Sequence, residues 1–278
     1  MSSFGSRLRA AMHERGHLCV GIDPHEGLLA QWGLDASAAG VREFGLRVVD
    51  AAAGRVAVVK PQVSFFERWG SAGFAALEDV IGAARAAGLI VIADAKRGDI
   101  GSTMDAYAAA WLAPGSSLEA DAVTVNPYLG VGTLDHAFAL AEEHGKGVFV
   151  LAATSDAAGV GVQRARSASG ETVSASIVRE VAARNARTTG AGEWAALGFV
   201  IGATVDWTDA GLTAFAPPAP ILAPGFGHQG ARLEDLARYG SAAPQVLASE
   251  SRSILSAGPD RIAQAIAVRA EQYRSTSV

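Results

Sequence analysis

The sequence predicts a (β/α)8 TIM barrel, an α/β fold in which eight parallel strands close on themselves and helices cover the outside. Three observations carry that prediction. Short apolar runs rich in β-branched residues recur along the chain, segments with helical spacing lie between them, and no linker or composition shift marks a second domain. The 278 residues are 50% hydrophobic and 18% charged, enough apolar surface for one large core, so residues 1–278 are read as a single domain.

Taken in order, an N-terminal helix is expected at about residues 2–15, and strands at 18–23, 56–60, 89–94, 121–126, 147–153, 197–203, 220–224 and 245–249. None of these runs alternates strictly between polar and apolar, as strands covered on both faces should not. Apolar spacing and good helix formers predict helices over 41–53, 73–87, 104–112, 134–144, 172–185, 233–239 and 261–273. Residues 154–170 form the longest connection and read as a functional or a disordered loop. Residues 215–220, with Pro217-Pro218, read as a stiff turn into the seventh strand.

Composition narrows the function. The net charge is −5 and the Lys and Arg residues are scattered, which argues against nucleic acid or an anionic membrane as partner. Cys19 is the single cysteine, so no internal disulfide or thiolate metal cluster can form, and it reads as a small buried hydrophobe. No run approaches the roughly 18 apolar residues of a membrane span, and residues 1–15 lack the apolar core of a signal peptide. A cytoplasmic protein is expected.

Charge interrupts the apolar runs where strands end. The first run closes on Asp23, the second on Lys60, and the third on Asp94 followed by Lys96. In a barrel these positions converge on the C-terminal mouth. Asp94 and Lys96 stand two apart, so both side chains can face the mouth. With Lys60 they form an alternating chain of cations and anions, each keeping its neighbour ionised against burial. A structural ion network would explain the same residues less well, because buried charge pairs add little net stability.

The segment Asp94-Ala95-Lys96-Arg97-Gly98-Asp99-Ile100-Gly101-Ser102-Thr103 closely resembles the orotidine 5′-phosphate decarboxylases, specifically their second bacterial subgroup. The resemblance extends through Gly21-Ile22-Asp23-Pro24, Val59-Lys60-Pro61-Gln62, Phe65-Phe66-Glu67, Thr124-Val125-Asn126-Pro127-Tyr128-Leu129-Gly130, Thr154-Ser155, Ala223-Pro224-Gly225-Phe226-Gly227 and Ser251-Arg252. It implies decarboxylation of orotidine 5′-monophosphate to UMP in pyrimidine biosynthesis, by a homodimer with shared sites. Lys96 then resembles the proton donor to C6 of the pyrimidine, and Asp94 the carboxylate set against the substrate's own. Lys60 and Asp23 look like ribose-side and network residues. Asp99 completes the catalytic group, and with Ile100 and Thr103 it matches positions that reach into the neighbouring subunit's site. Asn126 is a further substrate-binding candidate. Ser155 resembles the residue bonding the base edge, with Thr154 as a competitor shifted by one.

The chemistry accounts for these residue types. Loss of CO2 from C6 leaves a carbanion with no carbonyl or cofactor to delocalise it, so the protein must stabilise the charge electrostatically and then supply a proton. No metal or cofactor is expected. The six histidines, His13, His17, His25, His136, His144 and His228, show no ligand spacing, although His25 and His228 follow strand ends.

At the phosphate end, Gly225 and Gln229 follow the seventh strand and Arg252 the eighth, the usual phosphate cradle of this barrel class. Arg252 adds a fork of donors suited to phosphate oxygens. Ser251 stands where the family's larger subgroup has glycine. Two other readings compete. One is a related phosphosugar barrel, an aldolase or keto-acid decarboxylase holding Mg2+ with extra carboxylates such as Glu67 or Glu250. The other is a non-catalytic nucleotide-binding barrel.

Overall fold

Every apolar run becomes a strand. In the computed structural model, which describes residues 2–275, the strands are β1 Leu18–Ile22, β2 Val58–Pro61, β3 Ile90–Arg97, β4 Ala122–Val125, β5 Gly147–Ala153, β6 Leu197–Ile201, β7 Ile221–Pro224 and β8 Val246–Glu250. Each pairs in parallel with its neighbours in chain order, and β8 returns to β1, closing the barrel. Residue 1 and residues 276–278, the ends of the expected domain, lie outside the described residues.

The strands alternate between two cores. Inward residues such as Cys19, Val58, Ile92, Ala122, Phe149, Leu222 and Leu247 fill the barrel. Their outward neighbours, including Val20, Val59, Val91, Val123, Val148 and Val246, pack under the helices. Both faces are therefore apolar, which is why no run alternates with polar residues. Cys19 is fully buried, and burial pushes its thiol up to about 12, in keeping with a small core side chain.

The N-terminal helix Phe4–Arg15 closes the floor. Phe4 meets Phe149 edge-on at 6.0 Å, in a space that Gly147 leaves open, since a Cβ there would stand 2.4 Å from the Phe4 ring. With the floor plugged, the open end is the mouth where Asp23, Lys60, Asp94 and Lys96 emerge.

Long helices Ala38–Ala52, Gly70–Ala86, Gly101–Leu112, Asp135–Glu143, Val173–Thr188 and Ile262–Arg274 cover the barrel near the expected positions. Two expectations need correction. The segment expected as a helix at 233–239 is a 3-10 helix, Leu233–Gln245, broken at Gly240 (φ 54°) and carrying Pro244, because neither residue suits a regular α-helix. The sixth β/α unit is reduced: between β6 and β7 only the single turn Trp207–Ala210 is helical.

The long connection after β5 is ordered around the helix Ala157–Gln163, whose N-cap Asp156 accepts from Ala158 N at 2.7 Å. Other one- or two-turn helices, Glu26–Gln31, Val63–Glu67 and Arg252–Leu255, follow strand ends. They are too short to show a helical period in sequence.

Candidate active site

Strand parity builds the mouth. Continuing the inward series gives Lys60 above Val58 on β2, Asp94 above Ile92 on β3, and Ser249 above Leu247 on β8. These side chains, with Asp23, Lys96, Thr154, Ser155, Gly225, Gln229 and Arg252, line a cavity of about 310 Å³. That volume is at the lower end of what small-molecule sites use.

The charges form the expected chain. Lys60 Nζ lies 3.9 Å from Asp23 Oδ1 and 3.0 Å from Asp94 Oδ2, and Lys96 Nζ is 2.6 Å from Asp94 Oδ1. Burial works against the Lys60 ammonium, but Asp94 and Asp23 more than offset it and hold it above the ordinary lysine value. Burial would likewise protonate Asp94, yet Lys60 and Lys96 outweigh it and keep the carboxyl well below the usual carboxylate range. Asp94 is therefore a fixed anion facing the cavity.

Lys96 reaches the mouth by a route that simple alternation does not describe. Its φ is +49°, in the left-handed region that L residues other than glycine avoid, and it sits where β3 and β4 lose register between Ala93 and Arg97. Such backbone costs on the order of 1–3 kcal/mol and persists only where neighbours enforce it. Lys96 N donates to Thr124 Oγ1 at 2.9 Å, and Thr124 Oγ1 donates to Asp94 Oδ1 at 2.9 Å. The ladder resumes with Asn126 N donating to Arg97 O. The bulge aims the ammonium along Asp94.

Two buried oxygens beside this chain are left unpaired. Asp23 Oδ1 and Ser251 Oγ have no hydrogen-bond partner among the described residues, and both lie 3.3 Å from where a Gly21 Cβ would stand. Sequence reasoning named Asp23 but missed the free hydroxyl of Ser251. It also missed Gln62, which lines the cavity and whose Oε1 is 3.4 Å from Lys60 Nζ. Gln62 lies inside a quoted motif, so its position was the available signal.

The loop after β5 separates its two neighbouring hydroxyls. Gln163 clamps Thr154, accepting from Thr154 N at 2.9 Å and donating to Thr154 Oγ1 at 2.7 Å. Ser155 carries no comparable clamp. At the far end, Gly225 (φ +119°) takes a backbone conformation that L side chains rarely adopt, while Arg252 Nη1 sits 3.0 Å from His228 Nε2. His25 is otherwise engaged, capping its helix by accepting from Leu28 N.

Four of the named residues stay outside this cavity. Asp99, Ile100, Thr103 and Asn126 do not line it. Asn126 instead accepts from Tyr128 N at 3.0 Å, and Asp99 Oδ1 accepts from Ile100 N at 2.8 Å. Ile100 is 59% exposed, Leu129 51% and Tyr128 80%, on the turns that follow β3 and β4.

A family model, described as Orotidine 5′-phosphate decarboxylase / HUMPS family, matches residues 16–266. The chain belongs to this family. Among curated members, the orotidine 5′-phosphate decarboxylase of Salinispora arenicola is 54% identical over 261 residues, covering 94% of this chain and 92% of that one. The enzyme of that name from Corynebacterium efficiens is 51% identical over 265 residues, covering 93% and 91%. A Streptomyces avermitilis crystal structure, of a candidate orotidine 5′-phosphate decarboxylase, superposes with a TM-score of 0.93 at 46% identity over 99% of this chain and 96% of that one. The family's barrel also recurs in Leishmania donovani OMP decarboxylase, with a TM-score of 0.74 at 30% identity over 99% and 100%.

The carboxylates considered as possible metal ligands face elsewhere. Parity turns Glu250 outward from β8, where it accepts from Tyr273 and Ser253, and Glu67 pairs with Arg97 at 2.8 Å. Among the described residues, no group of three or more His, Cys, Asp or Glu side chains is arranged to hold a metal ion.

Proposed function

We infer that the protein decarboxylates orotidine 5′-monophosphate to UMP and CO2, a carboxy-lyase step of pyrimidine biosynthesis. The observation that carries this reading is the Asp23–Lys60–Asp94–Lys96 chain, with its ionised Asp94 beside the Lys96 ammonium at the barrel mouth. A substrate carboxylate set against Asp94 meets a like charge, and that repulsion falls as CO2 leaves. The electron pair left at C6 is stabilised by the Lys96 ammonium, which then transfers a proton to carbon and becomes a neutral amine. Solvent returns that proton. Each step uses side chains of the protein, with no resident cofactor in the proposal.

The remaining contacts follow the shape of the cavity. Asp23 and Ser251 line the cavity and suit ribose hydroxyls, while Gly225, Gln229 and Arg252 suit the phosphate. Thr154 is engaged by Gln163, so the base-edge role falls to Ser155. Ser251 before Arg252 favours the second bacterial subgroup. We further propose that residues 1–278 act as one cytoplasmic domain in a homodimer, with Asp99, Ile100 and Thr103 serving the partner's site. The exposed Ile100, Tyr128 and Leu129 support such a contact. No described helix is long and apolar enough to cross a membrane.

The test is loss of the absorbance of orotidine 5′-monophosphate on adding purified protein, with UMP as product. Lys96→Ala should abolish turnover without unfolding the barrel, since enzymes draw on roughly 8–23 kcal/mol of transition-state stabilisation. Near-normal turnover by that variant would remove Lys96 from the mechanism. Loss of activity in EDTA would favour the metal-dependent alternative.

A further inference from the structure

Six strands send a residue of their own to the cavity lining and β1 does so through Asp23, just past its end, which leaves β4 with none. Its inward residue at that level is Thr124, which is 0% exposed and cannot touch a substrate. The hydroxyl is nevertheless fully committed to the charge chain. It accepts from the backbone N–H of Lys96 at 2.9 Å, so its one proton is left to donate to Asp94 Oδ1, also at 2.9 Å. Asp94 Oδ1 receives its other bond from Lys96 Nζ at 2.6 Å.

We propose that Thr124 is a positioning residue for the decarboxylation, its hydroxyl closing a ring that holds Lys96 at both its backbone and its ammonium. The inference rests on the activity proposed above. The need for such a device comes from the bulge. Between the pairs Ala93–Val123 and Arg97–Val125, β3 carries more residues than β4, so regular ladder pairing lapses at Lys96. The Thr124 hydroxyl replaces the missing ladder carbonyl, and it keeps the left-handed backbone at φ +49° from relaxing. By donating to the same oxygen that the ammonium bonds, it also fixes the plane of the Asp94 carboxylate. Lys60 takes the other oxygen at 3.0 Å, so rotation of Asp94 would break three bonds at once.

A misplaced ammonium costs rate rather than binding, because the interaction that counts forms only as charge develops at C6. Thr124→Val keeps the shape and removes both bonds, whereas Thr124→Ser keeps both bonds and loses a methyl group. The experiment measures kcat on orotidine 5′-monophosphate, the inhibition constant of UMP and the melting temperature for wild type and both variants. The expected result is a fall in kcat of at least tenfold for Thr124→Val, a UMP constant within threefold of wild type, and kcat within threefold of wild type for Thr124→Ser.

Wild-type kcat in Thr124→Val would overturn the proposal. So would a valine variant in which kcat and UMP affinity fall together, since that marks general disorder, and so would a serine variant as slow as the valine one. If Thr124→Val does not fold, Thr124→Cys takes its place under the same criteria, its thiol being a weak donor and acceptor. Absence of turnover in the wild-type protein would instead overturn the activity itself, and this inference with it.

Discussion

Asp94 gathers the site's electrostatics in one carboxylate. Its pKa is depressed in the folded protein, so the stability it contributes is present above the unfolded value of about 3.9 and is lost only as pH falls through the lower folded value. Lys60 is raised, so its contribution is complete below the unfolded value of about 10.4 and is lost only as pH rises through the higher folded one. Between those limits the pair's contribution is independent of pH. Replacing Asp94 by Asn leaves Lys60 buried with Asp23 alone, 3.9 Å away, and should cost about 3 kcal/mol, the scale for breaking one buried pair. Urea unfolding of Asp94→Asn and wild type should show a constant gap from about pH 5 to 9, narrowing below about pH 4. A gap that grew steadily from pH 5 to 9 would mean that Asp94 or Lys60 titrates there. The identity of these residues was legible because charges stand out in apolar runs. The conformation of Lys96 was not, because a bulge depends on what the neighbouring strand can bond.

At the level of elements, Glu250 shows what parity adds to a sequence. By position it follows β8 residues that reach the mouth, and it was weighed as a metal ligand. The inward series, however, is Leu247, Ser249 and Ser251, so Glu250 points into the helix layer. There it accepts from Tyr273 Oη at 2.8 Å and Ser253 Oγ at 2.7 Å and pairs with Arg269 at 3.3 Å, joining β8 to the turn Arg252–Leu255 and the last helix. Gly227 packs directly on it, since a Cβ there would come within 2.7 Å of Glu250 Oε2. The loops carrying Gly225 and Arg252 thus share one buried anchor. Glu250→Ala strands the Tyr273 and Ser253 hydroxyls and should destabilise the protein by about 3 kcal/mol, with Glu250→Gln losing less, as read by denaturant titration. Equal stability of wild type and Glu250→Ala would remove the anchor. Arg252→Ala should leave stability nearly unchanged, because the side chain is exposed, yet lower kcat/KM at least tenfold, since remote phosphate binding helps organise the reacting end. Unchanged kcat/KM would refute the phosphate assignment. The short helices at the mouth escaped sequence reading because one or two turns cannot show an apolar stripe; His25 and Asp156 cap two of them, and Val63–Glu67 and Arg252–Leu255 have no side-chain cap.

The barrel itself was legible because eight buried strands each impose an apolar run, and closure follows from their parallel order. Assembly leaves a weaker trace. One chain's cavity lacks Asp99, although Asp99 lies only three residues past Lys96; exposed Ile100 shares its turn, and exposed Tyr128 and Leu129 lie on the turn after β4, which approaches so closely that a Gly98 Cβ would stand 2.3 Å from Asn126 O. Asp99 Oδ1 accepts from Ile100 N, so it does not cap the helix Gly101–Leu112 from the N-cap position, which Ile100 holds without a side-chain bond. A two-fold contact would use this patch on both chains and carry each Asp99 to the other's mouth. Lys96→Ala and Asp99→Ala homodimers should then each be nearly inactive. In a mixed dimer one site carries both lesions and the other carries neither. With equal amounts and random exchange, about half the dimers are mixed and each has one intact site, so about a quarter of wild-type activity should return. If each site instead drew both residues from one chain, every site in every mixture would carry a lesion. Failure to regain activity, with exchange demonstrated by differently tagged chains, would therefore show that Asp99 serves its own subunit or none.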